Sequence, residues 1–264
     1  MKATLNYIAE RPLPRGDSAL LMKECAGAFS PDTSSLSAWH QQYGGNHATR
    51  LAYDLDILRD FAPPGSKVLE IGSIPLIFTL AASRSGYAVT GCDLAPERYS
   101  SAIASLGLNI SKCNAEVEPL PFADGSFDVV VFNEIFEHLR INPIFTLGQV
   151  LRVLKPGATM MLSSPNLRSL EGVLNFLLRN RSYSCCSDLY AEYQKLENLG
   201  HMGHVREYTT TEVIGFLEKV GFEITDIIFR GEYYSTPKRA ITRFFPNLRP
   251  FVSYIGRRPV ALAT

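Results

Sequence analysis

The chain has little of what marks several broad classes of protein. Its 26 basic side chains are balanced by 26 acidic ones, so no excess of either sign points to a nucleic-acid or acidic partner. No apolar run reaches the length of a membrane span, and the first residues (M-K-A-T-L-N-Y-I-A-E-R) lack the apolar stretch of a secretory signal; a cytoplasmic location is expected. Cysteine is sparse and odd in number: Cys25, Cys92, Cys113, Cys185 and Cys186. That count argues against a disulfide framework, and the adjacent pair Cys185-Cys186 lacks the C-x-x-C spacing of a zinc or redox motif. Cys92 and Cys113 end apparent strands, where free cysteine acts as a small buried hydrophobe. There is one tryptophan, there are only five histidines, and the dinucleotide fingerprint G-x-G-x-x-G is missing around Gly72, which argues against a nicotinamide enzyme.

What is present is a regular alternation. Short apolar runs at 68–71, 88–92, 108–112, 127–132 and 158–163 read as strands, and segments at 76–85, 96–106 and 143–154 read as helices. Strands separated by helices of about ten residues imply right-handed crossovers and a parallel sheet covered on both faces. With 264 residues and 46% apolar composition, one domain with one good core is expected. Residues 1–47, rich in Pro, Gly and Ser, read as an irregular flap ending in W-H-Q-Q-Y-G-G-N-H, followed by a helix over 48–61. Residues 48–164 read as the core and 165–208 as a lid or substrate insertion. Residues 209–264 complete the sheet through a helix capped by Thr210 or Thr211 and a strand at 222–229.

The chemistry-bearing positions lie at strand ends. V-L-E-I-G (68–72) is a strand ending in glycine, where a ligand can approach the backbone because no Cβ intervenes. Asp93, 23 residues after Glu70, ends the next strand, where a carboxylate can accept hydrogen bonds from both hydroxyls of a ribose. Its other reading is a helix N-cap before Pro96.

Together, V-L-E-I-G, G-Y-A-V-T-G-C-D-L-A-P-E, N-A-E-V-E-P-L-P-F-A-D-G-S-F-D-V-V-V-F-N-E-I-F-E-H-L and L-R-V-L-K-P-G-A-T-M-M-L-S-S-P-N resemble class I S-adenosylmethionine-dependent methyltransferases over residues 68–166. The resemblance implies a Rossmann-like α/β fold with a mostly parallel seven-stranded sheet. It implies binding of S-adenosyl-L-methionine, with S-adenosyl-L-homocysteine as product. Glu70, Gly72 and Ser73 would lie at the methionine and ribose part, Asp93 and Leu94 at the ribose. Asn114, Ala115 and Glu116 would flank the adenine, and Asn133 would close the floor. The chain departs from the family at Ile74 and Leu76, where glycines are usual, and a non-catalytic scaffold is the reading that this departure motivates.

Methyl transfer to a hydroxyl needs alignment and a base. Histidine titrates near neutrality, which singles out His138, at the end of N-E-I-F-E-H, and His204, with His201, in G-H-M-G-H-V-R-E-Y. Glu134, Glu137 or Glu207 could join the histidines as metal ligands, but no third ligand is defined and no metal is assigned. Trp39, His40 and Tyr43 are expected to cover a bound cofactor. G-H-V-R-E-Y-T ahead of an amphipathic helix resembles methyltransferases of sugars and glycans. A sugar hydroxyl is therefore the first expectation for the acceptor, and a small lipid-like or aromatic molecule the second, suggested by the apolar helix L-E-G-V-L-N-F-L-L. Homodimerisation is left open.

Overall fold

The computed structural model describes residues 6–186, 188–199 and 203–260. The elements run β1 (Asn6–Arg11), α1 (Gly16–Ala26), α2 (Ser34–Phe61), β2 (Lys67–Ile71), α3 (Ile77–Arg84), β3 (Ala88–Asp93), α4 (Ser100–Leu106), β4 (Asn109–Lys112), β5 (Phe127–Asn133), α5 (Pro143–Val153) and β6 (Leu154–Pro165). They continue with α6 (Leu170–Arg179), α7 (Leu189–Leu199), α8 (Thr210–Val220), β7 (Glu223–Arg230), α9 (Thr236–Phe244) and β8 (Phe251–Arg257). The strands form one sheet in the order β1-β7-β8-β6-β5-β2-β3-β4, parallel except for β8, which runs antiparallel to both β6 and β7. Seven of these strands make the sheet that the family resemblance implies, and β1 adds an eighth at the β7 edge.

The sheet is covered on both faces, and β5 shows why its sequence is apolar throughout. Successive strand side chains point to opposite faces. Val130 and Phe132 pack with Leu147 and Val150 of α5 and Leu217 of α8. Val129 and Val131 pack on the other face with Leu55 and Leu58 of α2 and Phe78 and Ala81 of α3. Each such burial stabilises by about 1.5–3 kcal/mol. Cys92 and Cys113 are buried in the first of these layers, as expected.

The N-terminal region differs most from the sequence reading. Residues 6–61 are a strand and two helices, not an irregular flap. Gly44-Gly45 reads as a loop, yet both glycines lie inside α2. At Gly44 an added Cβ would sit 2.9 Å from the Cβ of Ala26, so glycine lets α1 and α2 approach closely. Elsewhere the differences are small: α8 is capped by Thr209, not Thr210 or Thr211, in a reciprocal capping box with Glu212. The 165–208 insertion carries α6 and α7. Among the described residues no helix is long and apolar enough to cross a membrane.

Candidate active site

The strand order reverses between β2 and β5, and in open α/β sheets ligands bind at the carboxyl ends of the strands at such a switch point. A cleft opens there, lined by Glu70, Gly72, Ser73 and Asn133 from the strand ends and by Tyr43 and Arg50 from α2. Gly72 adopts φ +76°, and a Cβ on it would lie 2.3 Å from Ile135 Cδ1, so no other residue suits this turn. The turn is closed by hydrogen bonds from the Gly72 and Ser73 amides to the Cys92 carbonyl, at 2.8 and 3.3 Å.

At the next strand end, Asp93 accepts from the Ile74 amide through one oxygen (3.0 Å) and from the Ala95 amide through the other (2.9 Å). The same carboxylate thus ties the β2 turn to the β3 turn. Leu94 beside it is exposed. Leu76 takes φ +69°, the left-handed conformation that glycine adopts without cost, and its side chain is fully buried against Tyr99 and Ala102. The position that relatives fill with glycine thus keeps glycine's backbone geometry while its side chain points into the core.

The Asn114-Ala115-Glu116 segment is built for position. Asn114 Oδ1 accepts from the Glu116 amide at 3.1 Å. Glu116 accepts from the amides of Arg140 and Ile141 at 2.6 and 2.8 Å, binding the loop after β5 to the loop after β4. Ala115 packs at the border of the core and offers its carbonyl to Thr146.

The floor is strongly charged. Glu134 bonds Arg50 at 2.9 Å and Ser163 at 2.9 Å, and lies 3.3 Å from Arg230, which in turn pairs with Asp54 at 3.0 Å. Burial would raise the Glu134 pKa, but Arg50 and Arg230 overcome it and hold the group ionised. Burial dominates at Glu70, pushed up to about 8 despite a hydrogen bond from Thr79, and at Asp54, up to about 6. Asn133 Nδ2 faces Asp54 without reaching hydrogen-bond geometry. The sequence reading missed Arg50, Asp54 and Arg230. The first two share a helix face with Tyr43 and His47 at spacings of three and four, a stripe hidden because α2 was started at Ala48.

The aromatic residues ahead of that stripe divide. Tyr43 lines the cleft and stacks between Trp39 and His47, at 5.3 and 4.4 Å. His40 is buried, 2.9 Å from the Tyr99 hydroxyl and 3.1 Å from the Ala26 carbonyl. It anchors α2 to the core and does not face the cleft.

His138 lies on the short turn 136–138 after β5. Its Nδ1 is 3.1 Å from the Gly203 carbonyl, which can only accept, so Nδ1 carries a proton. His204 stacks edge-on against it at 5.0 Å. Burial would lower the His204 pKa, but Cys186, Glu207 and Glu137 push it up to about 11. That direction favours the charged imidazolium and works against a role as general base. His201 lies outside the described residues. Of the rest of that loop, Arg206 pairs with Glu212, buried Glu207 holds Ser184, and Tyr208 packs on Phe136. The motif that resembled sugar-modifying enzymes is spent on packing.

The groups at the strand ends suit an adenosyl sulfonium: a glycine turn after β2, a Ser73 hydroxyl buried with no partner among the described residues, and the Asp93 carboxylate at the end of the adjacent strand β3. A family model described as a methyltransferase domain matches residues 43–227. The chain is 33% identical over 121 residues to a 2-methyl-6-phytyl-1,4-hydroquinone methyltransferase of Synechocystis sp., covering 44% of this chain and 38% of that protein. It is 36% identical over 109 residues to a ubiquinone biosynthesis O-methyltransferase of Xanthomonas campestris pv. campestris, covering 40% and 45%. The chain thus spans less than half the length of these curated relatives. Among solved structures, a SAM-dependent methyltransferase of Thermotoga maritima, described as a possible histamine N-methyltransferase, superposes with a TM-score of 0.57 at 18% identity, covering 85% and 97%.

Proposed function

The chain belongs to the methyltransferase domain family, and from that premise we propose that it methylates a hydroxyl on an aromatic acceptor carrying an apolar tail. S-adenosyl-L-methionine, the cofactor of this family, supplies an electrophilic methyl group when bound. Asp93 holds its ribose, Gly72 and Ser73 line the cleft at the end of β2, and Tyr43 and Arg50 wall it from the α2 side. His138, on the turn that follows β5, removes the acceptor proton.

One observation carries the acceptor class. The apolar helix α6 does not pack its last turn inward: Phe176, Leu177 and Leu178 are 63%, 71% and 77% exposed. The neighbouring α9, joined to α6 by Lys238–Glu171, likewise exposes Phe244 and Phe245. Apolar surface of this kind marks contact with an apolar ligand or lipid. The relatives named for hydroquinone and ubiquinone substrates point the same way. The sugar acceptor is the weaker reading, because Arg206, Glu207 and Tyr208 of the loop that suggested it are engaged by Glu212, Ser184 and Phe136.

The test is turnover with S-adenosyl-L-methionine against a prenylated catechol or hydroquinone in detergent and, in parallel, against free sugars and short oligosaccharides. Methylation of the phenolic set alone supports the reading, and methylation of the sugars alone overturns it. His138→Asn should lower kcat by roughly 10²–10⁴-fold with little change in KM, the usual weight of a general base. An unchanged kcat would remove His138 from the chemistry.

A further inference from the structure

A second constellation lies outside the cleft, in the insertion. Cys185 Sγ, Cys186 Sγ, a ring nitrogen of His204 and a carboxylate oxygen of Glu207 all fall within 4.8 Å of one another. We propose that these four side chains bind one zinc ion, which ties the Cys185-Cys186 stretch to the His204–Glu207 stretch beside the turn that carries His138.

The chemistry of the set argues for zinc. Two thiolates, an imidazole and a carboxylate are soft-to-borderline donors of the kind that zinc takes four at a time. Bonds of about 2.3 Å to sulfur and about 2.0–2.2 Å to nitrogen and oxygen put the corners of a tetrahedron roughly 3.3–3.8 Å apart. Here Cys185 Sγ is 3.5 Å from His204 Nδ1 and 3.2 Å from Glu207 Oε1, and His204 Nδ1 is 3.1 Å from Glu207 Oε1. These three separations fall within about half an ångström of tetrahedral edges, and Cys186 Sγ lies within 4.8 Å of the same donors. Because four protein ligands close it, the ion is structural and holds no open position for the acceptor.

The surroundings orient the donors. Glu207 Oε2 accepts from the amide and hydroxyl of Ser184, which aims Oε1 at the cluster. His204 is fixed by its own amide bonding Glu192 (2.9 Å), and the Val205 and Arg206 amides bond the Glu137 carbonyl. A Cβ on Gly203 would collide with the Glu192 carboxylate, so glycine permits this close turn.

An independent observation is Glu137. Its side chain is fully buried, and neither carboxylate oxygen has a hydrogen-bond partner among the described residues. It faces the far nitrogen of His204, Nε2, at 3.9 Å. Metal-bound histidine commonly donates its second N–H to a carboxylate, and Glu137 stands where that acceptor belongs. Zinc entry displaces the thiol protons and the proton on Nδ1, leaving Nε2–H directed at Glu137; no electron moves. Spacing alone could not reveal this set, since the ligands come from two stretches 19 residues apart.

The test uses the full chain. Purified from zinc-supplemented medium it should carry one zinc per chain by elemental analysis. The metal-free protein titrated with Co²⁺ should develop thiolate-to-cobalt charge-transfer absorption and the intense visible bands of a tetrahedral ion. The double variant Cys185→Ser, Cys186→Ser should lose the charge-transfer absorption. Glu137→Gln should keep the bands and bind zinc about 10–100-fold more weakly. Circular dichroism reports whether each variant is folded, and if the double variant is not, the wild-type cobalt spectrum decides. A folded wild-type chain that takes up no cobalt, or takes it up without thiolate absorption, overturns the proposal.

Discussion

At Leu76, two residue-scale effects oppose each other. A left-handed backbone costs a non-glycine residue roughly 1–2 kcal/mol, yet removal of a fully buried leucine side chain costs about 2–5 kcal/mol. Leu76→Gly should therefore destabilise the fold by about 1–3 kcal/mol in chemical denaturation, although it restores the glycine that relatives carry. A gain in stability would show that the buried side chain is worth less than the strain. Arg230 gives a larger effect. It is fully buried between Asp54 and Glu134, so Arg230→Met leaves buried Asp54 without its paired cation and Glu134 with Arg50 alone. Breaking a buried pair in this way costs about 3–5 kcal/mol, which urea unfolding would register as a lower midpoint at constant slope. At this scale Gly72 and Asp93 were legible, because a strand end followed by glycine or a carboxylate has local meaning. Arg50, Asp54 and Arg230 were not, since each acquires its role only from partners far along the chain, and of the cluster around His204 the sequence offered His204 and Glu207 but not Cys185 and Cys186.

At the scale of the element, α2 is the instructive case. Two adjacent glycines suggested a loop, and the fold uses them differently. Gly44 faces Ala26 across the α1–α2 contact, while at Gly45 an added Cβ meets nothing within 4 Å. Alanine favours a helix interior over glycine by about 1 kcal/mol. Gly45→Ala should accordingly stabilise by up to about 1 kcal/mol. Gly44→Ala should destabilise, because the Ala26 methyl cannot move without its helix. Thermal melts of the two variants give opposite signs if α2 is continuous through residue 44, and equal small shifts if it is not. The central strands were readable because a parallel sheet buried on both faces demands uninterrupted apolar runs, as in V-V-V-F at 129–132. Strand β1 was not, since it lies at an edge and pairs only with β7.

For the whole molecule, burial of acids sets the pH response. Glu70 and Glu137 are each pushed up to about 8 from an ordinary value of 4.5, by burial first. An acid whose folded pKa lies above its unfolded one binds more protons when folded, so stability falls as pH rises between the two values. His204, held up to about 11, acts in the same direction above pH 6.5. Glu207, brought down to about 2 by its bonds to His204 and Ser184 against the effect of burial, matters only in acid below 4.5. The melting temperature of the metal-free chain should therefore decline from pH 5 to pH 9. Glu70→Gln, which keeps an acceptor for Thr79 and removes the ionisation, should make that decline shallower; a steeper one would contradict the assignment.

The switch-point cleft is the centre of the account, and calorimetric titration with S-adenosyl-L-homocysteine examines it most directly. One molecule should bind per chain, and Asp93→Ala, checked for folding by circular dichroism, should bind at least about tenfold more weakly, as expected when a charge-assisted hydrogen bond of about 1.5–3 kcal/mol is lost. Absence of binding to the folded wild-type chain, or equal binding by Asp93→Ala, would contradict it.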